Sequence, residues 1–385
     1  MPKVIVLGAG MVGGVMACDL AADGDLQVSI ADVRRESLQL AEQRAAAAGR
    51  SVRCIESDLS DKATVSRLAR EHDLVLGALS STLGLQTMRA VIEADRNYCD
   101  ISFMPEDAWQ LDDLAKKHGV TAVFDCGIAP GMSNMLAGYA TTQLDTCERI
   151  EIYVGGLPRQ RHWPFQYKAG FSPYDVIEEY VRPARIVEHG RIVIKEALSE
   201  PELIDFVGVG TLEAFNTDGL RSLAHFLKAP FMKEKTMRYP GHIELMRVFR
   251  ETGLFSEGLI DVRGTNVKPR DLLAKLMFPK WAYQPGEEDL TVMRVVVDGM
   301  KSGERKRFTW DLLDLYDRPS QATSMSRTTA FPCTIVARMI LRGEISMPGV
   351  IPPEVLGQQP SVLDHVLKQL ESRGVRFMHN VHDLS

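Results

Sequence analysis

The sequence has no apolar run near the ~18 residues that a membrane-spanning helix requires, so no membrane partner is expected. Its six cysteines include no C-x-x-C pair, and neither a zinc site nor a dithiol centre, hence no metal, is indicated. Basic residues are not in excess. The 45 Lys and Arg face 51 Asp and Glu, a formal charge of −6 that argues against nucleic acid as a partner. Repeats and low-complexity tracts are missing too. An apolar strand already begins at Val4, which leaves no room for a leader peptide, so a cytoplasmic, reduced location is expected.

What is present has the composition of a soluble enzyme: 45% hydrophobic and 25% charged residues in a chain of 385, long enough for two domains. The chain opens on Val4-Ile5-Val6-Leu7, a run that reads as a buried parallel strand. Gly8-Ala9-Gly10-Met11-Val12-Gly13 follows at once in the order G-x-G-x-x-G, and Met11 to Ala22 reads as a helix. A second strand, Val28 to Ala31, ends at Asp32. An acid about 20 residues beyond such glycines takes the ribose hydroxyls of a dinucleotide, while the helix N-terminus receives its phosphates. Asp32 accepts two hydroxyls and repels a 2′-phosphate, which favours NAD; Arg34 and Arg35 beside it leave NADP possible.

Strand and helix alternate up to about residue 125, the pattern of a Rossmann doubly wound parallel sheet. Ligands of such sheets lie outside the carboxyl ends of the strands. That rule gives a cofactor set of Gly8, Gly10, Met11, Val12, Gly13, Asp32, Val33, Arg34, Asp58, Leu79, Ser80 and Ser81, and it adds Asp100 and Cys126 as reaction-site candidates. The alternatives are ordinary: Asp58 and Asp100 as local turn caps, Cys126 as an inert buried thiol.

From Arg149 the pattern changes. Hairpins around His189-Gly190 and across Asp298 to Gly303 point to an inserted α/β domain with a mixed sheet. The expected organisation is 1–126, 127–322, and a segment 323–385 that packs back on the first domain. Arg159 to Tyr167 reads as a lid or as a surface loop over packed aromatics. Glu213 to Leu223 and Lys235 to His242 are polar and glycine-punctuated, and read as binding loops more than core. Met325 to Gly343 reads as a helix, and His379 and His382 lack the company a metal site needs.

Several motifs carry a family resemblance: GAGMVG at the start, YCDIS (98–102), DCGIAPGMSN (125–134), PYDVIEEYVRPARIV (173–187), EAFNTDGLRSL (213–223), KTMRYPGH (235–242) and SMSRTTAFP (324–332). Over nearly its whole length the chain resembles the saccharopine dehydrogenase-like family, most closely the lysine 6-dehydrogenase branch. The resemblance implies a Rossmann domain completed by the C-terminal segment, a catalytic domain inserted between, and a homodimer or higher homo-oligomer formed through sheets of that second domain. It implies C–N oxidation at the ε-nitrogen of lysine with NAD or NADP, and an amino acid as the small-molecule substrate. Asp100 and Cys126 match positions near substrate, and Arg238-Tyr239 fits an arginine before a tyrosine that holds a carboxylate. The full glutamate-binding set of the saccharopine enzymes is not recognisable, which favours free lysine and oxidative deamination to 2-aminoadipate 6-semialdehyde. Asp100 is the first candidate to order the amine and Cys126 to line the nicotinamide. His225 and His242 are alternative bases, because unperturbed histidine titrates near neutrality. The rival readings are a saccharopine dehydrogenase, a carboxynorspermidine-type C–N reductase, and a protein that binds NAD(H) as a sensor without turnover.

Overall fold

The computed structural model describes residues 1–384. The apolar segments of the first part form a seven-stranded sheet in which every neighbouring pair is parallel. From one edge the strands are Gly349–Ile351, Thr121–Val123, Asn97–Asp100, Leu74–Gly77, Lys3–Leu7, Gln27–Asp32 and Arg53–Glu56. Helices lie between successive strands, so central strands are covered on both faces and need continuous apolar runs. Val4 to Leu7 and Leu74 to Leu76 meet this demand with no exposed surface. The strand order reverses beside Lys3–Leu7, the topological switch point at which open α/β sheets bind ligands.

The second sheet is mixed and nine-stranded. Its main path runs Glu202–Phe206, Gly210–Asn216, Phe231–Arg238, Thr146–Pro158, Asp289–Lys301, Glu304–Leu315 and Phe377–Asp383. The hairpin Ala184–Glu188 with Arg191–Lys195 joins it where Val187 pairs with Met232. Phe231–Arg238 and Thr146–Pro158 pair in parallel; the other main-path pairs are antiparallel. Helices Pro173–Val181, His242–Glu251 and Pro269–Trp281 build an aromatic-rich core with this sheet, centred on Tyr180, Phe215 and Trp281.

Two compact units result. One comprises Met1–Tyr139, Asp317–Ala322 and Ser326–Arg376; the other comprises Ala140–Tyr316, Thr323–Met325 and the tail from Phe377. The expected boundary at residue 126 therefore falls inside the first unit. Helix Met132–Thr142 is held there because Gly138 and Gly357 admit backbone at distances where a Cβ would stand 2.3 and 2.0 Å from the carbonyls of Glu354 and Met135. Of the terminal segment, Ser326–Arg376 belongs to the first unit, and the stretch from Phe377 differs from expectation. The last strand, Phe377–Asp383, pairs with Glu304–Leu315 and extends the second sheet, with His379 stacked 4.3 Å from Trp310.

Of the two stretches expected to be loops, 213–223 and 235–242, the first part of each is strand: 213–216 ends Gly210–Asn216 and 235–238 ends Phe231–Arg238, while 217–222 and 239–241 lie outside any strand. Their polar residues disguised them. Asn216, Glu234, Lys235, Thr236 and Arg238 are buried polar groups, and each is held in the sheet by at least one hydrogen-bond partner. Thr217 donates to Glu234, for example, and Lys235 to the Glu200 carbonyl.

Candidate functional site

In the first unit the glycine turn has the geometry that its motif requires. Gly8 sits at φ +103°, and a Cβ there would lie 2.4 Å from the Ala78 carbonyl oxygen. At Gly13 a Cβ would stand 1.9 Å from the Gly8 oxygen, so only glycine lets the helix Met11–Leu20 press against the strand turn. Around Gly10, by contrast, a Cβ would meet nothing within 4 Å. The cradle is open at the point where a pyrophosphate approaches backbone, and no side chain caps the helix N-terminus there. The residues present thus fit a dinucleotide.

Asp32 closes the turn from the side. Its carboxylate accepts Ala9 N at 2.7 Å and Arg34 N at 2.8 Å, which fixes the acid at the end of its strand. Arg34 Nε lies 3.4 Å from the same carboxylate while most of the Arg34 side chain faces solvent. Met11 and Val33 are exposed, Val12 and Leu79 half-buried. Ser80 is exposed, with its hydroxyl 3.2 Å from that of Thr82, and Ser81 is buried. Asp58 is an exposed turn residue whose Oδ1 accepts both the amide and the hydroxyl of Ser60, and these bonds lower its pKa.

Asp100 ends the strand Asn97–Asp100 and is fully buried. Tyr98 donates to one carboxylate oxygen at 2.9 Å; the Ser102 amide and hydroxyl donate to the other at 3.1 and 2.5 Å. Burial pushes its pKa up to about 7, against the opposing effect of those donors, and Asp125 adds to the rise. Gly77 leaves room for the pair: a Cβ there would stand 2.0 Å from the Tyr98 hydroxyl and 2.2 Å from Asp100 Oδ1. Cys126 donates its amide to the Asp100 carbonyl at 2.8 Å and is also fully buried. Its thiol, with those of Cys99 and Cys333, forms a buried hydrogen-bonded group.

In the second unit the predicted residues part company. Arg238 ends its strand inside an aromatic cluster, with its guanidinium 4.4 Å from the Tyr167 ring centroid. It donates to Glu179 at 2.5 Å, to the Met237 carbonyl at 3.0 Å and to the Tyr180 hydroxyl at 3.3 Å. His242 belongs to the same cluster. Its Nδ1 lies 2.7 Å from the Phe165 carbonyl oxygen and so carries the proton, which leaves Nε2 to accept from Tyr180 at 3.0 Å. Burial, then the charge of Arg238, pushes its pKa down to about 3. Both ring nitrogens are occupied and the ring is neutral, so His242 is a packing and hydrogen-bonding residue and not a free base. His225 lies exposed on the single turn Leu223–Phe226, where its ring bonds to no other described residue. Tyr239 donates to the Pro158 carbonyl at 3.0 Å and packs beneath Arg161.

The sequence did not single out Glu179, Tyr180, Tyr167, Trp281, Tyr98 or Ser102. Helix periodicity cannot tell Glu178 from Glu179, and only the fold shows that the first pairs with Arg270 and the second with Arg238. Among the described residues no group of three or more His, Cys, Asp or Glu side chains is arranged to hold a metal ion. Among the described residues no helix is long and apolar enough to cross a membrane either.

A parallel sheet whose first turn is an open glycine cradle closed by an acid defines a dinucleotide-binding α/β protein. Residues 4–123 match the saccharopine dehydrogenase NADP binding domain, and residues 127–375 match the saccharopine dehydrogenase C-terminal domain. The chain belongs to the saccharopine dehydrogenase family. It is 22% identical to saccharopine dehydrogenase [NADP(+), L-glutamate-forming] of Schizosaccharomyces pombe, over the full length of both chains. It is 26% identical to the carboxynorspermidine synthase of Vibrio cholerae, over 93% of each. Mouse mitochondrial alpha-aminoadipic semialdehyde synthase is 23% identical over 97% of this chain and 47% of its own, so the chain spans about half the length of that relative. Apo saccharopine dehydrogenase (L-Glu forming) of Saccharomyces cerevisiae has the same fold, with a TM-score of 0.79 over 99% of this chain and 100% of its own at 18% identity.

Proposed function

We propose that this chain is an NAD-dependent amine oxidoreductase that oxidises the ε-C–N bond of L-lysine, releasing ammonia and 2-aminoadipate 6-semialdehyde. The observation that carries the oxidoreductase reading is the open cradle at Gly10 with Asp32 fixed beside it by Ala9 and Arg34. The choice of lysine rests on the resemblance of the chain's motifs to the lysine 6-dehydrogenase branch.

The nicotinamide, when bound, supplies the two-electron acceptor. Gly10 and the free first turn of Met11–Leu20 would hold its phosphates, and Asp32 the ribose. Its carboxylate disfavours a 2′-phosphate, which supports NAD, while Arg34 stands near enough to soften that preference. Free lysine has an ε-ammonium pKa near ~10.4, and only the neutral amine can be oxidised, so a proton must be taken up. Asp100, poised near neutrality, is the candidate acceptor, with Tyr98 and Ser102 holding its carboxylate in place. Water then adds to the imine carbon and ammonia leaves. Arg238 is the candidate for the substrate carboxylate, by its match to the family's arginine before a tyrosine.

A second reading, oxidation of saccharopine, is favoured by the full-length similarity to the Schizosaccharomyces pombe enzyme. Absorbance of the reduced cofactor with NAD and lysine, then with NAD and saccharopine, separates the two. Lysine turnover with stoichiometric ammonia is the expected result. Turnover of saccharopine alone would replace the first reading with the second, and cofactor binding without any turnover would leave only the sensor.

A further inference from the structure

Glu179 is the partner that balances Arg238, and the pair has capacity to spare. An arginine offers five N–H donors and a carboxylate about four acceptor positions. Three donors of Arg238 are used, on Glu179, Met237 and Tyr180, which leaves two without an acceptor among the described residues. Glu179 uses one oxygen, Oε2, for Arg238; its Oε1 has no donor among the described residues. Glu179 is also the open side of the pair, its side chain 16% exposed against 3% for Arg238. Trp281 stands edge-on to Tyr167 within the same cluster, and its buried indole N–H has no acceptor among the described residues. Unpaired donors of this kind are rare in a protein interior, because each forfeits the hydrogen bonds it had in water. Arg238, the cation with two of these donors, is paired with Glu179, which keeps one carboxylate oxygen equally unspent.

Spare donors on a cation next to a spare acceptor on an anion make the complement of a zwitterion. An α-amino acid head group carries a carboxylate that needs donors and an ammonium that needs acceptors, a short covalent distance apart. The ion pair and the head group are each neutral overall, so the binding brings no net charge into the cluster. We propose that Glu179 is a substrate-specificity residue: it binds the α-ammonium of the amino-acid substrate while the Arg238 beside it binds the α-carboxylate. This rests on the amino-acid reading given above. Tyr167, beneath the guanidinium, keeps the fork in one plane for a two-point contact. Glu178, the neighbouring acid, is engaged by Arg270 instead, so the ammonium contact falls to Glu179 alone of the two.

The test compares L-lysine with 6-aminohexanoate, which keeps the ε-amine and the carboxylate and lacks only the α-ammonium. Binding to the cofactor-loaded protein is measured by titration calorimetry and turnover by reduced-cofactor absorbance, for the wild type, Glu179→Gln and Glu179→Asp. The wild type should prefer lysine by about 10⁴-fold or more, the discrimination expected when a site built to pair with a polar group meets an analogue without it. Glu179→Gln should lose that preference, and Glu179→Asp should restore part of it. A ratio unmoved in both variants, or an equal loss for both ligands in the folded Glu179→Asp protein, overturns the inference even if lysine turnover stands. If only saccharopine is turned over, the lysine reading falls, and the same variants are scored with saccharopine against its analogue lacking the α-amino group next to the same carboxylate. A wild type that binds none of these amino acids overturns both.

Discussion

Asp19, on the helix that follows the glycine turn, meets Arg338 at 2.7 Å, 319 residues further along the chain. Arg338 also reaches Asp23 at 2.6 Å, Arg373 reaches Asp19 at 2.9 Å, and Thr334 donates to Asp19 at 2.7 Å. Burial alone would raise the Asp19 pKa, yet Arg338 and Arg373 hold it below the ordinary value. Removing one side of such a buried network leaves unpaired charge, a loss of about 3–5 kcal/mol. Arg338→Met should therefore destabilise the first unit by that order, seen as an earlier urea transition. Loss of cofactor protection should accompany it, because the helix beneath the network supplies the phosphate-binding turn.

Gly10 and Gly13 should separate binding from folding. Gly10→Ala meets open space at an ordinary φ of −70°, so its thermal midpoint should stay near that of the wild type. Its affinity for NADH, read by fluorescence titration, should fall by about 10-fold or more, since the methyl group occupies the approach of the pyrophosphate. Gly13→Ala forces a Cβ onto the Gly8 carbonyl and should cost stability itself, about 1–3 kcal/mol at least.

Cofactor choice should pivot on Asp32. Asp32→Ala removes the charge that opposes a 2′-phosphate and leaves Arg34 unopposed beside the site. The ratio of kcat/KM for NADP to that for NAD should rise by about 100-fold, the equivalent of the few kcal/mol that a close charge contact commands. A ratio that does not move would remove Asp32 from cofactor discrimination.

Two buried groups give the protein opposite pH slopes. Asp100 titrates near 7 when folded and near 3.8 in the unfolded chain, so the folded state holds more protons between these values and stability falls as pH rises through them. The total is about 4 kcal/mol, and Asp100→Asn should remove it. His242 titrates near 3 when folded against 6.5 unfolded, so its contribution is complete above 6.5 and is lost as pH falls toward 3. His242→Gln should flatten that acid limb. Stability of each variant against wild type, measured by urea unfolding from pH 4 to 8, resolves the two. In turnover the rise of kcat/KM through about pH 7 should vanish in Asp100→Asn and persist in His242→Gln.

The first unit was legible because its sheet obeys one rule, that strands covered on both faces are apolar throughout; Val4 to Leu7 announces itself. Asp32 and the glycines were equally plain, being tied to fixed offsets from a strand. The second unit hid its strands behind buried polar residues. Lys235, Thr236 and Arg238 look like a loop until Glu200, Thr217 and Glu179 are placed beside them. His242 was attractive as a base on residue type alone, and only the partners on both of its nitrogens remove that role. Nothing in local sequence reveals a partner such as Phe165, whose carbonyl lies 77 residues away.

Both units are discontinuous, and this has a consequence for synthesis. The first sheet takes its edge strand from Gly349–Ile351, and the second ends on Phe377–Asp383. A ribosome releases residues in order, so neither sheet can close until these late residues have emerged. The glycine turn, made long before them, must wait with its apolar strands part-covered until they are added. Long-range closure of this kind slows folding. Trimming the chain before residue 349 should therefore disable both halves at once.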